Sequence, residues 1–251
     1  MKIVYAVSLL VAGLVMLAFS APASASKMDS RIELSARQSH VFKTYLKDDE
    51  IKIRSADGVV TLTGVVAESF HRGLAEETVA GLPGVKYVDN RLVTKGAIPT
   101  ADSDAWLREK VKATLLFNRS MNARNIEVEV KDSVVTLRGE AASLAVKELA
   151  TEYAKDVSGV KDVNNEMKVS NGQQKEQTIG QKIDDSSITA QVKMTLLYHR
   201  ATSAINTKVE THRGVVSLYG KASSLTEVNL ATKLANDVNG VRGVRNRMTI
   251  E

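Results

Sequence analysis

One eight-residue pattern occurs three times in this chain of 251 residues, and the repeat restricts the possible folds more than any other feature. The copies occupy residues 57–64, 132–139 and 213–220, so they are offset by 75 and then 81 residues. The same offsets align two further sets of residues, Gly84, Gly159 and Gly240, and Asn90, Asn165 and Asn246. Self-similarity at a fixed period predicts tandem copies of one small domain.

Each copy predicts the element order α-β-β-α-β. Apolar residues at i, i+4 and i+8 predict a first helix, with the stripes Leu107, Val111, Leu115 and Ile188, Val192, Leu196. Asp104 and Asp185 precede these stripes, where a helix N-terminus favours acids. Two strands follow around a turn, and the second is predicted to stop at Gly64, Gly139 or Gly220. We therefore predict an α+β fold of three tandem domains, each a three-stranded mixed sheet packed against two helices.

A second helix and a last strand complete each copy. The helix is predicted to end at Gly84, Gly159 or Gly240, because glycine adopts the left-handed conformation readily. Ser224 and Glu227 predict a capping box. Asn90, Asn165 and Asn246 share the parity of the inward apolar residues, where an unpaired amide would cost roughly 1–3 kcal/mol. A bulge or a hydrogen bond to neighbouring backbone would explain them, and a ligand contact is the alternative.

The predicted domains span residues 27–96, 102–171 and 183–251. The pattern Val-x-x-Thr-(Leu/Tyr)-Leu begins at Val41, Val111 and Val192, so the first offset is only 70 residues there. This predicts a divergent first domain with a loop shortened by five residues. The short linker containing Pro99 predicts a restrained first pair, and the polar linker 172–182 predicts a less restrained third domain.

Residues 1–25 have the pattern of a cleavable signal peptide. Lys2 precedes an apolar segment, and Ala23 and Ala25 are the small residues expected before cleavage between Ala25 and Ser26. A retained membrane anchor is the alternative, but the apolar run is shorter than the ~20 residues of a typical span. The chain contains no cysteine, which excludes disulfides and lipid attachment through a cysteine. We predict a periplasmic protein that is not a lipoprotein.

The repeated residues resemble those of the BON family, named for bacterial osmotically induced and nodulation proteins. The resemblance rests on the Val-Val-x-Leu-x-Gly strand, the Gly-Val pairs after the second helix and the final Val-x-Asn segments, and it covers nearly all of the mature chain. It implies an exported or membrane-associated module without catalytic activity that contacts phospholipid surfaces and is linked to envelope stress. It also implies that the recurrent glycines serve the fold.

The sequence offers no convergent catalytic or metal site. The four histidines do not repeat between copies and have no helical ligand spacing, so we expect them to be solvent-exposed: His40, His71, His199 and His212. The acids at 48–50 and 76–77 could be cation ligands, but loop acids and a solvated helix face explain them as well. We predict a protein that is not an enzyme and needs no metal, cofactor or small-molecule substrate.

The charge pattern favours a membrane partner over nucleic acid. The net charge is +5 and only 4% of residues are aromatic, with both signs interspersed, whereas nucleic-acid binders concentrate basic residues. The third domain has nine Lys and Arg against six Asp and Glu. Its candidate lipid-binding residues are Arg242, Arg245, Arg247, Lys208 and Arg213, of which Arg242 has the opposite strand parity to Arg245 and Arg247. A cluster of this kind would attract anionic headgroups, and scattered solvated charge is the alternative.

Trp106, the only tryptophan, lies beside the apolar stripe of the second domain and is expected to cover a domain interface or to enter a bilayer interface. The predicted function is binding of anionic phospholipid surfaces or envelope components during osmotic stress. The alternative is a periplasmic holdase chaperone or a protein adaptor for exported polypeptides.

Overall fold

The structure, a computed structural model, describes residues 23–96, 99–121, 126–170, 183–202 and 206–251. The predicted signal peptide lies almost entirely outside the described residues, and so does the predicted linker 172–182. Cleavage after Ala25 therefore stays a prediction. Among the helices described, none combines the length and the apolar character needed to cross a membrane.

Each domain has the element order that the repeat predicts. The first contains α1 (Ala23–Gln38), α2 (His40–Thr44), β1 (Glu50–Ala56), β2 (Val59–Val66), α3 (Ser69–Ala80) and β3 (Tyr87–Thr94). The second contains α4 (Asp104–Phe117), β4 (Ile126–Lys131), β5 (Val134–Ala141), α5 (Leu144–Lys155), β6 (Asp162–Asn165) and β7 (Lys168–Val169). The third contains α6 (Asp185–Tyr198), β8 (Lys208–His212), β9 (Val215–Tyr219), β10 (Lys221–Ala222), α7 (Leu225–Asn236), β11 (Gly243–Asn246) and β12 (Thr249–Ile250).

The sheets are mixed, as predicted. In each domain the first two strands pair antiparallel, and the last strand pairs parallel with the second after the helical crossover. Alternate residues of the strands are buried beneath the helices, for example Val135 and Leu137 of β5. The opposite face of each sheet carries the exposed residues. The α+β fold of three small α-β-β-α-β domains is thereby confirmed.

An aspartate of the first helix binds the hairpin turn in all three domains. The Asp104 carboxylate accepts hydrogen bonds from the backbone N–H groups of Asp132 (2.8 Å) and Ser133 (2.9 Å). Asp185 binds the turn of the third domain in the same way, and Asp29 binds the turn of the first. These aspartates keep the offsets of 75 and 81 residues, so the first helix aligns without a gap.

The prediction of a shortened loop in the first domain is therefore wrong. From the aspartate to the first strand, the first and second domains have the same length, and Ile32 and Ala36 occupy the positions of Leu107 and Val111. Both are buried. Val41, the residue used to align the first copy, belongs instead to the separate short helix α2. Its match to Val111 was accidental, because short apolar patterns recur by chance.

The repeated glycines lie where backbones approach closely, and two predicted boundaries are wrong. β2 and β5 continue through Gly64 and Gly139, and only in the third domain does the strand break at Gly220. The second helices end four residues before Gly84, Gly159 and Gly240. Gly159 has the expected positive φ (+99°). A glycine is required here because the Cβ of any other residue would lie 2.7 Å from Leu107 Cδ2. Contact with the first helix, rather than helix termination, explains this glycine.

The second and third domains form a pair with pseudo-two-fold symmetry. Each backbone hydrogen bond from one domain to the other has a counterpart in which both residues are shifted by the 81-residue offset. Ser158 N–H donates to Tyr198 O (2.9 Å), and Asn239 N–H donates to Phe117 O (2.9 Å). Likewise, Arg200 N–H donates to Asp156 O (2.8 Å), and Arg119 N–H donates to Asp237 O (2.9 Å). Self-complementary contacts of this kind are typical of an isologous dimer interface. The two domains also share one apolar core.

The first domain packs across this pair. Its helix α3 contacts both α4 and α6, with Glu68 bound to Lys112 on α4 and Glu77 bound to Lys193 on α6 (2.6 Å). Most residues of α6 are buried, since it contacts helices of all three domains. These contacts hold the third domain against the other two, a restraint that the composition of linker 172–182 did not indicate. Linker composition does not report the surface that a domain can bury against its neighbours.

His199, at the interface of the second and third domains, predicts a pH-dependent stability. The side chain is buried, its Nδ1 accepts a hydrogen bond from Ala201 N–H (3.1 Å), and its Nε2 lies 3.6 Å from Asp156 Oδ2. Burial lowers the pKa of His199, with a further contribution from Arg200, although Asp156 opposes the shift. Because the unfolded chain then binds the proton more readily, stability should fall as pH drops below about 6.5 and level off below the folded pKa.

The pseudo-symmetry supplies the matched variant, because Asn118 occupies the position of His199 in the second domain. His199→Asn should flatten this part of the pH profile. Thermal denaturation of both proteins between mildly acidic and neutral pH measures the difference. A profile that is equally steep in the variant would assign the pH dependence to other groups.

Candidate functional site

The outward face of the third-domain sheet brings together three of the five predicted basic residues. Register places Arg245 opposite Ser217, and Tyr219 opposite Lys208. Lys208, Arg245 and Arg247 are exposed on this face, and we call these three residues the basic face. The predicted common parity of Arg245 and Arg247 agrees with their exposure.

Tyr219 lies at the centre of the basic face. The Lys208 Nζ and Arg247 Cζ atoms are each 5.8 Å from the centroid of its ring, a distance at which cations and aromatic rings attract each other. Lys208 also binds Glu210 (2.7 Å), and this hydrogen bond raises the pKa of Lys208 and lowers the pKa of Glu210. Both groups are therefore charged at neutral pH, and the face has three cations and one carboxylate.

Arg213 and Arg242 lie apart from the basic face, at the end of the hairpin. Arg213 lies in the turn and has φ +52°. The side-chain carbons of Arg242 pack over Gly214, so closely that a Cβ on Gly214 would lie 3.0 Å from them. Arg242 precedes β11, and its backbone N–H donates to Gly214 O (2.8 Å). Both side chains are exposed at this end. The five candidate residues thus form a group of three and a pair.

The corresponding face of the second domain has the opposite character. Asn164 and Glu166 replace Arg245 and Arg247, and Glu127 replaces Lys208. Arg138, at the position of Tyr219, binds both Glu129 (2.5 Å) and Glu166 (2.9 Å). The repeat therefore conserves the geometry of the face but not its charge, which indicates that this face can be varied without loss of the fold.

The repeated asparagines connect the last strand to the second helix. Asn165 Nδ2 donates to Lys147 O (2.8 Å) and Thr151 Oγ1 (2.8 Å), and its Oδ1 accepts from Met167 N–H (3.0 Å). Asn90 and Asn246 make equivalent bonds. Register is the same on both sides of Asn165, so no bulge is present. Bonding to neighbouring backbone is confirmed, and these amides have structural partners rather than a need for a ligand.

Several of the acids and histidines considered as ligands have other partners. Asp49 accepts hydrogen bonds from Ala67 N–H (2.7 Å) and from His71 Nδ1 (2.6 Å), while Glu76 and Glu77 bind Asn90 and Lys193. The predicted exposure is wrong for His199, which is buried at a domain interface, and for His71, whose side chain is only 13% exposed beside Asp49. Within the described parts of the chain, no group of three or more His, Asp or Glu could hold a metal ion.

Trp106 lies at a domain interface. Its ring lines a cavity together with residues of the first and third domains, including Phe70 and Tyr198, and Lys110 Nζ is 3.7 Å from the ring centroid. Between the two predicted environments, the structure favours the domain interface. Lys110, buried beside the ring, was not among the predicted site residues. The available signal was a lysine one position before Val111 of the apolar stripe.

The three tandem α-β-β-α-β domains share an aspartate that binds the hairpin turn and an asparagine that connects the last strand to the second helix. These features define a repeat protein of the α+β class. The chain belongs to the BON domain family, whose model matches residues 29–96, 103–171 and 184–251. The resemblance noted in the repeated residues is therefore confirmed.

The chain has several curated relatives. It is 34% identical to osmotically-inducible protein Y of Escherichia coli strain K12 over 143 residues, which cover 57% of this chain and 70% of that protein. It is 34% identical to the outer membrane lipoprotein DolP of Haemophilus influenzae over 110 residues, covering 44% of this chain and 54% of that protein. The 21 kDa hemolysin of Actinobacillus pleuropneumoniae is 28% identical over 157 residues, covering 62% of this chain and 72% of that protein.

Proposed function

We propose that this chain is a non-catalytic protein of the bacterial cell envelope, exported to the periplasm, that acts in osmotic stress by binding anionic phospholipid surfaces. The names of its relatives support the setting, since one is osmotically inducible and another is an outer membrane lipoprotein. The observation that carries the proposal is the basic face, where Lys208, Arg245 and Arg247 are exposed together on one sheet.

Electrostatics makes this face suitable for a lipid surface. Each Lys or Arg near an anionic leaflet contributes about 1 kcal/mol, so three cations on one plane could hold a folded domain at a membrane. The Tyr219 ring offers an amphipathic group of the kind enriched at membrane interfaces. Arg213 and Arg242 at the adjoining hairpin end would extend the contact.

Vesicle flotation of the protein from Ser26 onward tests the proposal. We expect binding to vesicles that contain phosphatidylglycerol, weakened by salt, and no binding to phosphatidylcholine alone. Arg245→Asn with Arg247→Glu introduces the residues of the second domain at these positions, so the fold should persist. The double variant should bind at least about tenfold more weakly, because two contributions of ~1 kcal/mol are lost.

The control is a double substitution on the outward face of the first domain, Lys52→Glu with Arg91→Glu, which also removes two exposed cations. It should leave vesicle binding nearly unchanged. If both double variants lose binding equally, net charge rather than the basic face is responsible. Unchanged binding of the Arg245 and Arg247 variant would contradict the proposal.

A second candidate function, a holdase for exported polypeptides, is supported by exposed apolar residues on the first domain. Tyr87 and Val93 are 64% and 55% exposed on β3, and register pairs them with the exposed Val59 and Val65 of β2. Unfolded chains could contact these apolar pairs. Light scattering of reduced insulin measures the activity, and the reductant cannot affect this cysteine-free chain.

The second domain again supplies the matched variant, with Asp162 and Lys168 at these positions. Tyr87→Asp with Val93→Lys should abolish the suppression of insulin aggregation and spare vesicle binding. The Arg245 and Arg247 variant should do the reverse if both functions exist. Absence of suppression by the unmodified protein would remove the holdase candidate.

A further inference from the structure

A cavity of about 190 Å³ lies where the three domains meet. Its walls include Ser69 and Phe70 at the start of α3, Trp106, Glu109 and Lys110 on α4, and Tyr198 at the end of α6. An engineered apolar cavity of about 150 Å³ is known to bind benzene, so this volume can hold a small ligand. A ligand here would contact all three domains.

Lys110 supplies the cavity with a buried positive charge. The residue is 3% exposed, and its Nζ donates to Ser158 O. Among the residues that the structure describes, no carboxylate forms an ion pair with it. Burial lowers the pKa of Lys110 to about 8, with Asp102 opposing the shift, so the amine is largely protonated at neutral pH. An ammonium has three N–H donors, so donors remain for another acceptor.

Tyr198 contributes a hydroxyl to the same cavity. The residue is 9% exposed, and it borders the cavity at the end of α6. Together, Lys110 and Tyr198 offer one positive charge and one further O–H donor beside aromatic walls.

The carboxylate of Glu109 is already engaged. Its Oε2 accepts from Phe70 N–H (3.1 Å) and from the Ser69 hydroxyl at the first residues of α3. The positive end of the α3 dipole offsets the charge of this carboxylate. Glu109 therefore joins the second domain to the first, while the ammonium group of Lys110 can still bind a ligand in the cavity.

We propose that this cavity is a binding site for a small organic monocarboxylate whose carboxylate group contacts Lys110 and Tyr198 and whose apolar body packs against Phe70 and Trp106. A cation is disfavoured because Lys110 already covers the Trp106 ring at 3.7 Å. A doubly charged anion such as phosphate is disfavoured because Glu109 lies in the same wall. The site is independent of the basic face.

The pseudo-symmetry supplies variants that the fold already accepts. Gln191 and Phe117 occupy the positions of Lys110 and Tyr198 in the other member of the domain pair. Lys110→Gln removes the charge, and Tyr198→Phe removes only the hydroxyl. The basic-face variant, Arg245→Asn with Arg247→Glu, serves as the control for general anion attraction.

The emission of Trp106, the only tryptophan, reports binding directly in the chain from Ser26 onward. Benzoate is the probe, and benzyl alcohol, benzylamine and inorganic phosphate are the comparison compounds. We expect benzoate alone to change the emission saturably and to raise Tm. Lys110→Gln should weaken benzoate binding at least about tenfold and Tyr198→Phe severalfold, as expected for hydrogen bonds to a charged group. The basic-face variant should bind benzoate normally.

Three results would overturn the assignment. The first is no saturable response to benzoate at tens of millimolar, and the second is equal binding of benzyl alcohol. The third is undiminished binding by folded Lys110→Gln or, should that protein not fold, by Tyr198→Phe. Loss of vesicle flotation with benzoate binding intact would refute only the membrane proposal.

Discussion

Replacing Gly64 with alanine is expected to remove most of the stability of the first domain. Gly64 has φ +127°, and a Cβ on it would lie 1.8 Å from the backbone oxygen of Glu50 on the neighbouring strand. Neither backbone can move without breaking the β1–β2 ladder, in which Gly64 pairs with Ile51. Backbone strain and overpacking together should cost about 3–5 kcal/mol, a large share of what a domain of this size has.

The matched control is Gly73→Ala in the same domain. Gly73 lies in α3, has no positive φ, and a Cβ on it would have only Met194 Cε at 4.0 Å. Since alanine is favoured over glycine in a helix by up to about 1 kcal/mol, this variant should be neutral or more stable. Urea denaturation followed by circular dichroism compares the two. If Gly64→Ala unfolds at the same urea concentration as the unmodified protein, the close approach of the strands is not a constraint.

Replacing Asp184 with alanine should weaken both α6 and the contact between the first and third domains. Asp184 is the N-cap of α6, where its Oδ1 accepts from Ser187 N–H (2.9 Å). Its Oδ2 accepts from His40 N–H at the start of α2 in the first domain (2.7 Å). Loss of the cap and of a charged hydrogen bond between domains should cost about 2–4 kcal/mol.

The second domain again offers a variant that divides the effect. Ser103 caps α4 at the position equivalent to Asp184, so Asp184→Ser should keep the cap and lose mainly the bond to His40. We expect it to be less destabilising than alanine, by about the value of a cap, ~1 kcal/mol. Equal losses would mean that the cap contributes nothing. Thermal denaturation of the whole protein measures the total loss of stability. Limited proteolysis of the whole protein, with cleavage followed in the first domain, measures the loss of the contact with His40.

Acid should reduce the contribution of Asp184. Burial alone would raise its pKa, but hydrogen bonds from Ser186, His40 and Ser187 outweigh burial and lower the pKa below its usual value. A carboxylate with a lowered folded pKa contributes stability that is complete above the unfolded pKa of about 3.9 and is lost as pH falls through the folded pKa. The difference between the unmodified protein and Asp184→Ala should therefore shrink only below about pH 4.

Local patterns predicted the elements well, because each depends on nearby residues. The stripe of Leu107, Val111 and Leu115 is buried as expected, and Ser224 caps α7 as predicted. Glu227 completes that cap by accepting from Ser223 N–H (2.6 Å), one residue earlier than the capping box predicts. The first domain was misaligned because Val41 repeats a short pattern, whereas the turn-binding role of Asp29 depends on a contact 28 residues away.

The repeat, the α-β-β-α-β order and the recurrence of the glycines and asparagines could be predicted from the sequence, because each rests on backbone conformation or periodicity within one domain. How the domains meet could not be predicted in this way. The reciprocal contacts of the second and third domains, the placement of α3 across them and the cavity beside Lys110 depend on surfaces brought together from distant segments. Charge on a strand is visible in the sequence, but whether Lys208, Arg245 and Arg247 share one exposed face depends on strand register and on which face the helices cover.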